Sequence, residues 1–209
     1  MMLDFEPAGV YNAVFERSVI DYHQIDDVDA LMPPTYGSSF ERLLYEKNWI
    51  DTVQWHLEDK IRDPLIDPYL ALQIKRRIDA SNQARTDIVE RIDDALVGAL
   101  ARFNALSTAR LNSETPAWLL DRMSILMLKI YHMKEQMDGT DATPEHKLRC
   151  QQKYHVLEEQ KQDMELAFDQ LIEDVRNGIR RVKIYRQMKM YNDPTLNPIL
   201  KQNPLEFIK

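Results

Sequence analysis

The sequence predicts an all-α protein, a single-domain bundle of about five helices with a long C-terminal helix and an irregular, proline-containing tail. Three observations predict it. Apolar residues recur at helical spacing over long stretches. Asp67-Pro68, Thr115-Pro116 and Thr143-Pro144 each set a capping oxygen directly before a proline, and proline suits the first helical position because its missing N–H has no partner there anyway. Only 5 Gly occur among 209 residues, too few for a turn-rich β protein or a glycine-based nucleotide fold.

Taken in order, the elements fall at 8–23, 40–62, 68–106, 116–137 and 144–191. The stretch 26–37, with Pro33-Pro34, reads as a surface loop. Ser38 followed by Glu41 is a capping box that opens the second helix. Asp138-Gly139 closes the fourth, with glycine suited to a left-handed C-terminus. The fifth carries near-heptad spacing through Met164, Phe168, Leu171, Val175, Gly178, Val182 and Tyr185, a seam for antiparallel packing. Gly178 lies inside that seam and costs about 1 kcal/mol in a helix interior; the expectation is a continuous helix with a close crossing there. The tail, 192–209, contains Asp193-Pro194, Asn197-Pro198 and Asn203-Pro204 and cannot continue a helix.

Composition bounds the function classes. Hydrophobic residues at 44% give one domain over 1–209 enough apolar surface for a core. Met1 to Glu6 lacks the basic start and apolar run of a signal peptide. The longest apolar run, around Met123 to Leu128, is broken by Lys129 and is too short to span a bilayer, so no membrane insertion is expected. A single cysteine, Cys150, excludes an intrachain disulfide and points to the cytoplasm. A net charge of −7 argues against nucleic-acid binding, which needs a basic face.

The informative residues are polar ones on apolar helices. A helix turns by about 100° per residue, so faces follow from spacing. On the third helix Ile78, Val89, Ile92, Leu96 and Leu100 define an apolar face; Arg85 points into it, and Asn82 and Asp93 border it. A guanidinium aimed at a core needs a carboxylate or a ligand anion. The fourth helix is apolar around nearly its whole circumference and so is central, yet Asp121, Ser124, His132 and Glu135 share a stripe, flanked by Arg122 and Lys129. The second helix adds Asn48, Thr52, Trp55 and Asp59 on one stripe, with His56 and Glu58 beside it.

These segments carry a resemblance. Trp55-His56-Leu57-Glu58-Asp59, Asn82-Gln83-Ala84-Arg85-Thr86-Asp87, Glu114-Thr115-Pro116, Asp121-Arg122-Met123-Ser124-Ile125-Leu126, Lys129-Ile130-Tyr131-His132-Met133 and Met190-Tyr191-Asn192-Asp193-Pro194 together resemble an uncharacterised bacterial family, catalogued as the domain of unknown function numbered 4254. Thr86 stands where that family's pattern suggests Asn. The resemblance covers nearly the whole chain, implies a compact helical protein of this length, and supplies no catalytic residue. It also implies a link to envelope polysaccharide biosynthesis.

Three functional expectations follow. An anion pocket among helices two, three and four would use Asn82, Arg85, Asp121, Arg122, Lys129 and His132 to bind a nucleotide or sugar phosphate, since arginine suits bidentate phosphate contact; the alternative is an internal ion-pair network joining Arg85 to Asp121 or Glu58. If chemistry follows, metal-assisted phosphate hydrolysis is the candidate, with Mg²⁺ on Glu58, Asp59, Glu90 and Asp93. Asp87, Glu90 and Asp93 form a ladder, but steps of three drift by about 60° around a helix, so all three cannot converge. His56 is the candidate general base, its pKa raised by Glu58 and Asp59. The rival reading is a non-catalytic scaffold or partner subunit, supported by the long fifth helix and the cluster Arg176, Arg180, Arg181, Lys183, Arg186 and Lys189, with a homodimer through the heptad seam as one form of it.

Overall fold

The computed structural model describes residues 5–34, 37–140, 142–188, 193 and 195–202. It is an all-α bundle, as expected. Five long helices, α1 (Ala8–Ile25), α2 (Ser39–Lys60), α3 (Pro68–Leu100), α4 (Pro116–Asp138) and α5 (Pro144–Arg176), are followed by a single turn, α6 (Pro198–Gln202). Two short segments, β1 (Arg110–Leu111) and β2 (Arg180–Arg181), pair in parallel.

The caps explain where the helices begin. Glu41 N–H donates to Ser38 Oγ at 3.2 Å and Ser38 N–H to Glu41 Oε2 at 2.6 Å, completing the capping box of α2. Asp67 Oδ1 accepts from Tyr69 and Leu70 N–H at 3.0 Å each ahead of α3, and Thr143 Oγ1 accepts from His146 N–H ahead of α5. Thr115 differs: its side chain is buried and caps nothing.

The apolar girth of α4 has the consequence expected of it. This helix packs against α1, α2, α3 and α5. Its Leu119, Leu120, Met123, Leu126, Met127 and Ile130 join Tyr11, Phe15, Leu44, Ile88, Ile92, Leu96, Phe168 and Ile172 in the main core. Satellite clusters form around Leu57, Ile74 and Ile78 and around Tyr22, Tyr45 and Trp49.

Two helices end well short of the expectation. α3 stops at Leu100, and α5 stops at Arg176 rather than running to Tyr191. Gly178 takes φ +71°, the left-handed conformation, and ends α5 in a turn. A close approach accompanies the break: Leu106 N–H donates to Gly178 O at 2.9 Å, and a Cβ there would lie 2.7 Å from Asn104 O. The seam residues Phe168 and Val175 are buried in the chain's own core, with Met164, Leu171 and Val182 packed against it. The seam thus packs internally at these positions, while its Tyr185 is exposed. At the fourth helix, Gly139 closes with φ −56° and ψ 132°, not in the left-handed region.

Beyond β2 the chain lies along α3, where Arg186 pairs with Asp94 at 2.6 Å and Gln187 N–H donates to Glu90 Oε1 at 3.1 Å. Lys189, the Met190-Tyr191-Asn192 string and Asn203-Pro204 lie outside the described residues. Among the described residues no helix is long and apolar enough to cross a membrane.

Candidate functional site

The charges read from the sequence meet at the junction of α2, α3 and α4 in a closed ring. Lys47 pairs with Asp51 one turn along α2, and its Nζ lies 2.7 Å from Asp121 Oδ1. Arg85 reaches the same two carboxylates from α3, with Nε 2.8 Å from Asp51 Oδ1 and an NH2 2.9 Å from Asp121 Oδ1. Two cations and two anions thus alternate, with no net charge. Ser124 hydroxyl donates to Asp51 Oδ2 at 2.7 Å, and Asn48 Nδ2 donates to Ser124 Oγ at 3.0 Å. Lys47 is 1% exposed, Asn48 and Ser124 0%, so the ring is a core feature. Burial pushes the Asp121 pKa up, but Lys47 and Arg85 outweigh it and hold the carboxyl below its usual range. The same carboxylates hold the Arg85 guanidinium charged against its own desolvation.

Arg85 therefore meets Asp121, as the internal-network reading anticipated. Arg85 also lines a hollow of about 190 Å³ with Gln54, Trp55, Glu58 and Arg62. Asn82 accepts from Gln54 Nε2 at 2.9 Å and stands outside the ring. Arg122 is turned to the surface, where it pairs with Glu114 at 2.8 Å.

The four acids proposed for Mg²⁺ are not brought together. Glu58 pairs with Arg62 and Glu90 with Arg186. Asp93 is buried at α3, and burial raises its pKa, only partly offset by Thr115 and Arg186. Asp59 lies at a separate depression. Among the described residues no three carboxylates converge tightly enough to share an ion; the helical drift of the ladder and these separate partners account for it.

What does converge is histidine. His23 at the end of α1, His56 on α2 and His132 on α4 each bring a ring nitrogen within 4.8 Å of the others. Each ring is backed by a different aromatic: His23 stacks on Tyr131 (4.2 Å between centroids), His56 on Tyr22 (5.1 Å) and His132 on Trp55 (4.9 Å). Tyr22 is fully buried, and burial pushes its phenol up to about 12. The His56 pKa is lowered, by burial first and then by His23 and His132, against the smaller pull of Asp26 and Asp59. This is the reverse of the rise expected from neighbouring carboxylates. His56 Nε2 is turned toward His23 Nε2, at 3.2 Å.

On another side of His132 lies a depression of about 370 Å³ lined by Trp55, Asp59, Lys129, His132, Met133, Gln136 and Leu157. Lys129 makes no ion pair among the described residues.

Sequence reading missed Lys47, Asp51 and His23. Lys47 and Asp51, four apart, look like an ordinary surface pair; the signal was their position beside Leu44, Asn48 and Thr52, all buried. His23 is the basic residue in the last turn of α1, and nothing in its own segment ties it to His56 or His132. No curated protein and no solved structure matches the chain. The family described as "Protein of unknown function (DUF4254)" matches residues 41–184, which hold the ring, two of the three histidines and the depression, and the chain belongs to that family.

Proposed function

We propose that the protein binds a small phosphorylated polyhydroxy compound, of the sugar-phosphate class, in the depression between α2, α4 and α5. One observation carries this reading. Of the cations read as anion contacts, Arg85 and Arg122 are spent on carboxylates, whereas Lys129 is uncommitted and shares an open hollow with His132. Lys129 supplies the charge for a phosphate, while Asp59 and Gln136 supply the acceptors and donors that hydroxyl groups require. The hollow's volume of about 370 Å³ suits a monosaccharide phosphate.

The charge ring supports the rival reading of a non-catalytic scaffold or partner subunit, because it fixes the register of three helices and needs no ligand. The single cysteine supports a cytoplasmic residence, and the net charge of −7 speaks against a nucleic-acid partner. Metal-assisted hydrolysis would require a metal beside the anion, and the scattered carboxylates do not supply it.

The test is calorimetric titration with sugar phosphates, free sugars and orthophosphate against wild type and Lys129→Met. Binding of the sugar phosphates alone, weakened about tenfold or more by the substitution, supports the pocket. Heat from none of the three classes sinks it and leaves the scaffold reading standing.

A further inference from the structure

The three-histidine cluster has features beyond those of a packed core. His23 Nδ1 lies 2.7 Å from Val19 O, and a carbonyl only accepts, so Nδ1 carries the proton and Nε2 presents a lone pair. His132 Nδ1 lies 2.8 Å from Glu135 Oε2, which fixes its tautomer in the same way. Its Nε2 is buried with no hydrogen-bond partner among the described residues. His56 Nε2 faces His23 Nε2 at 3.2 Å. The rings stand edge-on to one another, at 63°, 72° and 74°, each stacked on its own aromatic. Two bare imidazole nitrogens and a third beside them therefore face a common point, and three helices hold them there.

We propose that His23, His56 and His132 form a binding site for one divalent transition-metal ion of the zinc class, with three imidazole ligands and the fourth position left for water or an anion. Four lines of physical chemistry converge on it. Tetrahedral zinc–imidazole bonds separate neighbouring ligand nitrogens by about 3.3 Å, close to the 3.2 Å between His23 and His56; rotation of His132 closes the remaining gap. A ligating histidine characteristically donates its second nitrogen to a carbonyl or carboxylate, and Val19 O and Glu135 take those two roles. Among the described residues the buried His132 Nε2 has no hydrogen-bond partner, and a metal ion would give it one. Imidazole donors select zinc, copper, nickel or iron over Mg²⁺ and Ca²⁺, which take oxygen ligands.

In the absence of metal, the His56 Nε2–H donates to His23 Nε2. Metal binding displaces that proton, which moves to solvent or to His56 Nδ1. Of the three histidines only His132 also lines the depression with Lys129. The metal site does not depend on that hollow being used.

The experiment is a Co²⁺ titration of the full chain, free of any polyhistidine tag and of added anion, followed by Zn²⁺ competition. The expected result is one equivalent of Co²⁺ with the intense visible bands of a four- or five-coordinate ion, bleached by one equivalent of Zn²⁺. His56→Gln and His132→Gln, checked for folding by circular dichroism, lose the bands. Glu135→Gln keeps them but weakens Zn²⁺ binding about 10–100-fold. Cys150→Ser, which removes the thiol beside His146, leaves the titration unchanged. A weak six-coordinate spectrum in wild type overturns the proposal, as does a band that survives in a folded His56→Gln or is lost with Cys150→Ser. The wild-type spectrum decides the matter even if a histidine variant fails to fold.

Discussion

Arg85 on α3 and Lys47 on α2 approach the same oxygen, Asp121 Oδ1 on α4, at 2.9 and 2.7 Å. Both also pair with Asp51, so each carboxylate is held by two cations and each cation by two carboxylates. Taking such charges from water costs several kcal/mol per ion, which mutual pairing offsets only while the set is complete. Lys47→Met leaves one cation for two buried carboxylates. We expect it to destabilise the fold by about 3–5 kcal/mol, read as a lower urea midpoint at unchanged slope. A loss under about 1 kcal/mol, the range of an exposed pair, would show that the ring is not an energetic unit.

The ring is expected to contribute to the acid limit of the fold. The folded pKa of Asp121 is depressed, net of the opposing effect of burial. Its contribution is therefore present above the unfolded carboxyl pKa, about 3.9, and is lost as pH falls through the folded value. Urea unfolding of wild type between pH 6 and 3 is expected to show stability falling below about pH 4. Asp121→Asn, less stable at neutral pH, is expected to give a flatter acid limb. Parallel limbs in the two proteins would assign acid sensitivity to other carboxyls.

Asp93 works in the opposite direction. Burial raises its pKa, Thr115 and Arg186 compensate only in part, and its Oδ1 has no hydrogen-bond partner among the described residues. A raised carboxyl pKa contributes stability below the unfolded value, lost as pH rises through the folded one. At pH 7 the ionised group is thus a net cost. Asp93→Asn is expected to stabilise the protein at pH 7 by up to about 1 kcal/mol, with a smaller gain at pH 4, as read from thermal midpoints at both. A destabilised variant at pH 7 would mean that the buried charge has a partner essential to the fold.

The fold was legible in the sequence because its signals are local. Caps at Ser38, Asp67 and Thr143 and the apolar girth of α4 are each determined within a turn or two of chain, and they placed five helices and the central one. The site was legible only in part, because its elements are joined through space. Arg85 advertised a need for a counter-charge, and Asp121 met it. Asp51 and His23 carried no comparable local signal: one looks like half of a surface pair, the other like a helix-end cation. Their roles depend on which helices become neighbours, and periodicity does not fix that. Glu90 was drawn into a metal site for the converse reason, since its actual partner, Arg186, lies far along the chain and in no recognisable pattern with it.

Gly178 shows the same limit at a helix end. Its place in the heptad seam favoured a continuous α5, yet it takes φ +71° and lies against the loop that follows α3. Two costs coincide there. An L-residue in the left-handed region loses roughly 1 kcal/mol relative to glycine, and a Cβ would sit 2.7 Å from Asn104 O and 3.2 Å from Leu106 N. Because both contacts are with backbone, relief requires moving the loop whose Leu106 N–H donates to Gly178 O and whose continuation pairs Arg110–Leu111 with Arg180–Arg181. Gly178→Ala is therefore expected to cost more than the conformational term alone, about 2 kcal/mol or more, with faster amide exchange at Leu106, Arg110 and Asn112. Gly98→Ala is the control: Gly98 lies inside α3, where an added Cβ would meet nothing within 4 Å, and alanine there is expected to stabilise by about 0.5–1 kcal/mol. Equal effects at the two positions would show that the α5 end is not held by this contact, and that the continuous-helix conformation is close in energy.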